Sequence, residues 1–175
     1  MSEQANRSIH ASAVVCGTIG ILIRGPSGSG KSQLAFDLIL AGRAGHIPAT
    51  TLVGDDRVHV DARNNTVVVR PAGNLEGLIE IRGLGIRRCD HTSEAIVGLV
   101  VDLAADDAER LPPPEALSIR LSGVLLPRIP VGAGYAPLPL IVAALTTTVG
   151  SVSPQPSADC RKGIGNHISR TIATE

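Results

Sequence analysis

Apolar residues run along this chain in short blocks, and the spacing inside each block differs. Ile9 to Cys16 and Ile19 to Arg24 are two such blocks parted by Gly17-Thr18, a pattern that predicts two strands joined as a hairpin. Ser32 to Ala41 instead carries Leu34, Leu38 and Ala41 at helical spacing, with Gly42 set as its C-cap. Thr50 to Val53 predicts a short strand that delivers Gly54-Asp55-Asp56. Val58 and Val60 alternate with His59 and Asp61, the period of a half-buried strand. Asn64-Asn65 then turns the chain into Thr66 to Arg70, a second hairpin. Leu78 to Arg82 reads as a strand that ends in Gly83-Leu84-Gly85. Ala95 to Leu103 is apolar, β-branched and continuous, as a buried central strand is.

The remainder is more broken. Asp106 to Glu115 is acidic and proline-rich, hence a surface loop. Leu117 to Leu121 and Val124 to Leu126 read as strands, Ile129 to Pro139 as a loop rich in proline and glycine. Pro137 to Thr147 suits a helix with proline in its first turn. From Gly150 onward the chain is polar and without period, the composition of a weakly ordered tail. The expected architecture is an α/β domain over residues 1–149, with a mixed, largely β sheet and few helices, followed by a tail over 150–175.

Composition narrows the function classes. The chain has 175 residues, enough for one domain that buries a core without disulfides or a structural metal. With 16 basic and 16 acidic residues, one Phe, one Tyr and no Trp, it lacks the basic surface and stacking aromatics of a nucleic-acid binder. The three cysteines stand far apart, which argues against a zinc site and against a disulfide framework. No apolar run has the length of a membrane span, and Met1 to Ser8 is polar, without a signal-peptide core. A cytoplasmic protein is expected.

One motif carries chemistry by itself. Gly25-Pro26-Ser27-Gly28-Ser29-Gly30-Lys31-Ser32 fits G-x-x-x-x-G-K-[ST] at every fixed position, between an apolar strand and an amphipathic helix. Glycines let successive N–H groups turn inward as an anion nest, and the helix N-terminus adds its dipole. Lys31 is placed to reach the β- and γ-phosphates and Ser32 to ligate magnesium, so ATP with Mg2+ is the expected ligand. Only two lysines occur in the chain, and one sits in this required place.

Phosphoryl transfer also needs an acid, for magnesium or for the acceptor's proton. Asp55-Asp56 follows a strand at the end where open α/β sheets put their chemistry. Asp102, ending the run Val97 to Val101, resembles a Walker B aspartate and is the rival. Spacing leaves the two open. Glu80 and Arg82 share a strand face, as a structural ion pair or as site residues. His10, on the first strand, is open to a structural or a functional role.

At this point four blocks together resemble one family. Ile9-His10-Ala11, the Gly25 to Ser32 loop, Leu52-Val53-Gly54-Asp55-Asp56 and Ile79-Glu80-Ile81-Arg82-Gly83-Leu84-Gly85-Ile86 are similar to the catalytic domain of HPr kinase/phosphorylase. That is the bifunctional bacterial enzyme of the sugar phosphotransferase system, and the Glu-Ile-Arg-Gly-Leu-Gly-Ile string is its own signature. The resemblance runs from about Ile9 to Thr147. It implies ATP-dependent phosphorylation of a serine of the carrier protein HPr, removal of that phosphate by phosphorolysis, a core related to phosphoenolpyruvate carboxykinase, and assembly as a homo-hexamer.

Carried over by position, the resemblance makes Lys31 a phosphate contact and Ser32 and Glu80 magnesium ligands. It makes Asp56 the proton acceptor of the kinase direction, with Asp55 as a supporting carboxylate and His10 near the phosphates. Arg110, in Glu109-Arg110-Leu111-Pro112, is similar to an active-site arginine of the family. There are departures. The family's usual N-terminal domain has no counterpart, so a short form is expected. Tyr135 stands where an arginine is usual, and Ala133 lacks the usual polarity, in the loop linked to dephosphorylation. The kinase direction is therefore expected ahead of phosphorolysis. The competing readings are a P-loop kinase for a small molecule and a nucleotide-sensing module without useful turnover.

Overall fold

A computed structural model describes residues 8–150. Its centre is parallel. β3 (Ile19–Arg24) and β9 (Ala95–Leu103) run side by side, and β11 (Val124–Val131) continues the parallel set along the C-terminal half of β9. The wings are antiparallel. β2 (Ser12–Cys16) forms the expected hairpin with β3 and pairs β4 (Thr50–Gly54) on its other side. β5 (Arg57–Arg63) and β6 (Thr66–Pro71) form the second hairpin, and β1 (Ser8–His10) lies on the far side of β5. β10 (Ser118–Leu121) completes this sheet by pairing β11. β7 (Leu78–Ile81) and β8 (Gly85–Arg88) make a separate two-stranded hairpin.

Gly20 to Ile23 and Leu99 to Val101 are buried on both faces, which is why these stretches read as unbroken apolar runs; Ile19 and Ile96, nearer the strand starts, are exposed. Ile21, Ile23, Leu99 and Val101 face a core shared with α1 (Lys31–Arg43) and α2 (Pro137–Thr146). Leu22, Val97 and Val100 face the opposite core, closed by Val58, Val67 and Val69 of the β5–β6 wing. The sheet is thus covered by helices on one side and by its own curled wing on the other.

Four local expectations need correction. Ile9 to Cys16 is two strands, not one: the chain breaks at the fully buried Ala11, where it leaves β5 as partner and joins β3 and β4. Gly42 does not cap α1. A Cβ there would meet the Thr50 backbone nitrogen at 2.7 Å, so it is a close-approach glycine. The C-cap is Ala44, and Gly45 just after it takes φ +75°, with Gly45 N–H donating to the Gly42 carbonyl and His46 N–H to the Ala41 carbonyl, the paired bonds of a Schellman motif. Ile129 to Pro139 is not all loop, because β11 extends to Val131 through Pro127 and Pro130. Each half of β11 pairs on one side only, so a missing N–H is tolerated on the open side. Finally, the segment after Gly83-Leu84 returns as β8, a strand that was not expected. The tail expected over 150–175 falls, apart from Gly150, outside the described residues.

Candidate active site

The Gly25 to Ser32 loop leaves the C-terminal end of β3 and enters α1 directly. Gly28 and Gly30 sit at φ +78° and +95°, where a side chain is strained, and both face open space. Among the described residues no side chain caps α1, and its first turn holds no acid. Leu34 N–H closes the turn on the Gly30 carbonyl at 2.9 Å, while the N–H groups of Lys31, Ser32 and Gln33, residues that line the cleft, are left without a side-chain cap. Lys31 is buried beneath the loop, its Nζ donating to the carbonyls of Gly25 at 3.0 Å and Pro26 at 2.9 Å. Burial pulls the Lys31 ammonium below its ordinary pKa, and the charges of Asp55 and Asp56 offset part of that fall.

The cleft has a volume of about 470 Å³. From the loop and α1 it takes Ser27, Gly28, Gly30, Lys31, Ser32 and Gln33. Facing them are His10, Asp56, Glu80 and Arg82. Elements far apart in sequence thus bring most of the expected residues to one place.

The two adjacent aspartates have different surroundings. Asp55 is 3% exposed; its Oδ1 accepts from Ser12 Oγ at 2.5 Å and its Oδ2 from the Glu80 backbone N–H at 3.0 Å. It ties β2 to β7 and so fixes the strand that carries Glu80. Asp56 is exposed, with His10 Nε2 3.4 Å from its Oδ1. Its backbone is at φ +65°, closed by the Arg57 N–H on the Asp55 carbonyl at 2.7 Å. A non-glycine residue held there costs about 1–3 kcal/mol, and such positions cluster at functional sites.

Asp102 has a different place. Arg24 Nε and Nη2 donate to its two oxygens, each at 2.7 Å, and Arg128 Nε adds a third bond at 2.5 Å. Burial opposes its charge, but the two guanidiniums outweigh that and hold its carboxyl below the usual pKa. The Walker B alternative meets a carboxylate already engaged by two arginines and absent from the cleft lining.

Arg110 lies exposed in the loop between β9 and β10 and does not line the cleft. Tyr135 is exposed beyond β11, also outside it. Among the described residues Glu80 and Arg82 form no ion pair, and Arg82 lies one residue past the end of β7. Sequence reasoning overlooked Ser12. Its signal was a hydroxyl within an apolar strand, since a buried polar group needs a partner. It also overlooked Arg24 and Arg128, whose partner becomes visible only once β9 lies between their strands.

The family model of the HPr Serine kinase C-terminal domain matches residues 2–109. The chain belongs to that family. The HPr kinase domain so matched contains every residue that lines the cleft, while Arg110 lies one position beyond it. Among curated relatives, the HPr kinase/phosphorylase of Mycoplasma mycoides is 31% identical over 150 residues, covering 78% of this chain and 46% of that protein. That of Limosilactobacillus reuteri is 43% identical over 81 residues, 46% of this chain and 23% of that protein. The matched parts thus span less than half the length of those relatives. The solved Hpr(Ser) kinase/phosphatase of Coxiella burnetii superposes with a TM-score of 0.63 at 26% identity, covering 80% of this chain and 93% of that one. Over its described residues this HPr kinase domain is a sheet-dominated α/β fold with two α-helices. No helix among its described residues is long and apolar enough to cross a membrane.

Proposed function

We propose that the chain is an ATP- and magnesium-dependent kinase that phosphorylates a serine of HPr. The observation that carries this reading is the meeting, in one cleft, of Lys31 and an uncapped helix N-terminus with the strained, exposed Asp56. The first two suit an anionic phosphate chain, and the third suits a hydroxyl proton.

In this reading Lys31 leaves its loop carbonyls for the phosphates, and the loop N–H groups hold the charge on the transferred group. The residues present fit magnesium. Ser32 and Glu80 offer oxygen donors on opposite sides of the cleft, and one or two protein oxygens plus phosphates is how this ion is usually held. When bound there, the ion neutralises charge on the phosphates. Asp56 orients the serine hydroxyl and accepts its proton as the bond to phosphorus forms, while His10 steadies the Asp56 carboxylate. Asp55 supports from behind by fixing Glu80. Arg82, an exposed guanidinium at the rim, is placed to meet the phosphoryl group as it crosses.

In phosphorolysis of phospho-HPr inorganic phosphate, in place of ADP, takes the phosphoryl group from the serine oxygen and leaves as pyrophosphate while Asp56 returns a proton to that oxygen, and Arg110 and the Tyr135 loop are the segments through which this activity would differ. The phosphoenolpyruvate carboxykinase-like core, a cytoplasmic location and hexameric assembly belong to the same reading. Assembly is supported by α2, an uncharged helix that leaves Leu140 exposed. The test is incubation with HPr and γ-labelled ATP. Label on a serine of HPr is expected; intact ATP binding with no label on HPr would overturn the proposal.

A further inference from the structure

Asp102 is the acid that sequence reasoning could not assign, and its surroundings give it a task outside the cleft. It pairs in register with Arg24 on one side and Pro130 on the other, at the C-terminal end of the parallel centre. A carboxylate offers about four lone-pair directions. Three are taken: Arg24 Nε, Arg24 Nη2 and Arg128 Nε. Binding a metal would mean giving up charge-assisted bonds already made.

Arg24 immediately precedes Gly25, the root of the phosphate-type loop. That root is pressed against β9. A Cβ at Gly25 would stand 2.9 Å from the Leu103 carbonyl oxygen and 2.7 Å from Ser29 Oγ. The Gly25 carbonyl in turn receives Lys31. On the other side Arg128 is held firmly. Its Nη1 and Nη2 donate to the two Asp107 oxygens at 2.6 and 2.9 Å, and Nη1 also to the Ala116 carbonyl at 3.0 Å. One guanidinium therefore ties β9, β11, the loop carrying Asp107 and the 3₁₀ turn at Ala116 into one body.

We infer that Asp102, Arg24 and Arg128 form a clamp that sets the position of the Gly25–Ser32 loop, with Asp102 a positioning residue and not a magnesium ligand. The inference rests on the reading of that loop as the nucleotide site. The shifts in charge state agree: burial opposes ionisation of Asp102, yet its carboxyl stays below the ordinary pKa.

The experiment measures ATP affinity with Mg2+ and with EDTA, for the wild-type chain and for Asp102→Asn, Arg128→Met and Arg128→Lys. Amide hydrogen exchange over residues 25–32 is followed in parallel. The clamp predicts that Asp102→Asn and Arg128→Met weaken ATP by about tenfold in both conditions and speed exchange in the loop, since a misplaced site loses binding geometry. Arg128→Lys, which keeps the charge without the fork, should recover part of the loss. Two results overturn the inference. One is a loss in Asp102→Asn seen only with Mg2+, with Arg128→Met unaffected. The other is a lowered melting temperature with affinity and exchange unchanged. If Arg128→Met does not fold, Asp107→Asn loosens Arg128 from its half-exposed outer end. A loss of about threefold is then expected, and none would overturn the clamp. If the wild-type chain binds no ATP, the nucleotide reading fails, and exchange at residues 25–32 decides the clamp by itself.

Discussion

Asp55 and Asp56 are neighbours in sequence, and the structure predicts opposite consequences for their removal. Asp55→Ala deletes a carboxylate that is 3% exposed and accepts two hydrogen bonds, from Ser12 Oγ and from the Glu80 N–H. Ser12 is itself fully buried, so its hydroxyl has no solvent to fall back on. Bonds to a charged group are each worth about 1.5–3 kcal/mol, and the sum is reduced by the relief of burying a charge. A net loss of about 3 kcal/mol follows. With a urea m-value of about 2 kcal/mol/M, the unfolding midpoint should fall by about 1.5 M. Asp56→Gly should do the reverse. It removes an exposed side chain and relieves a residue held at φ +65°, a gain of about 1 kcal/mol. Phosphoryl transfer should nevertheless fall by about a hundredfold or more, the usual share of a general base. Urea denaturation followed by circular dichroism, beside the HPr labelling assay, reads both. If Asp55→Ala unfolds at the wild-type midpoint, or Asp56→Gly is the less stable of the two, the division of labour argued here is wrong.

Further outcomes follow from other residues. Lys31→Met should abolish ATP-dependent labelling while leaving the fold intact, since a nearly buried cation with a lowered pKa is replaced by an apolar chain of similar length; a variant that turns over normally would remove Lys31 from the mechanism. Gly20→Ala should destabilise by about 3 kcal/mol or more, because a Cβ there would stand 2.4 Å from the Ile96 carbonyl oxygen in the backbone of β9; thermal melting tests it. Stability should fall in acid through Asp102. Its folded pKa lies below the unfolded value, so its contribution is full above about pH 4 and is lost as pH drops through the folded pKa. Asp102→Asn should flatten that part of the stability–pH curve, and an unchanged slope would show that other carboxylates set it.

Much of this was legible because the relevant forces are local. Asn64 and Asn65 take φ +49° and +60°, the left-handed pair that a two-residue hairpin demands, and asparagine announces it. β9 matches its expected bounds because it carries no polar side chain until Asp102, even though its first half alternates, with Ile96 exposed, and only Leu99 to Val101 are buried on both faces. What escaped depends on partners. β8 is exposed along its whole length, so it has no apolar period to read. Gly42 resembles a cap until Thr50 is seen against it. Pro127 and Pro130 argue against a strand unless it is known that β11 changes partner between them. In the site, the fixed spacing of Gly25 to Ser32 exposed the phosphate-type loop, whereas the difference between Asp55, Asp56 and Asp102 is set by Ser12, His10 and two arginines from distant strands.

The parallel pairing of β3 with β9 also bears on the order in which the molecule acquires its shape. Arg24 and Asp102 are 78 residues apart in the chain, while the β2–β3, β5–β6 and β10–β11 hairpins each close across a two-residue turn. Loop closure over that distance is entropically slow, so the hairpins can form long before the centre does. During synthesis the glycine-rich loop leaves the ribosome well before the strand that must flank it, which does not exist until residue 103 has been made. Competence to hold a ligand thus arrives with the last cooperative step rather than the first. A nucleotide that binds only the finished cleft would then slow unfolding without hastening folding.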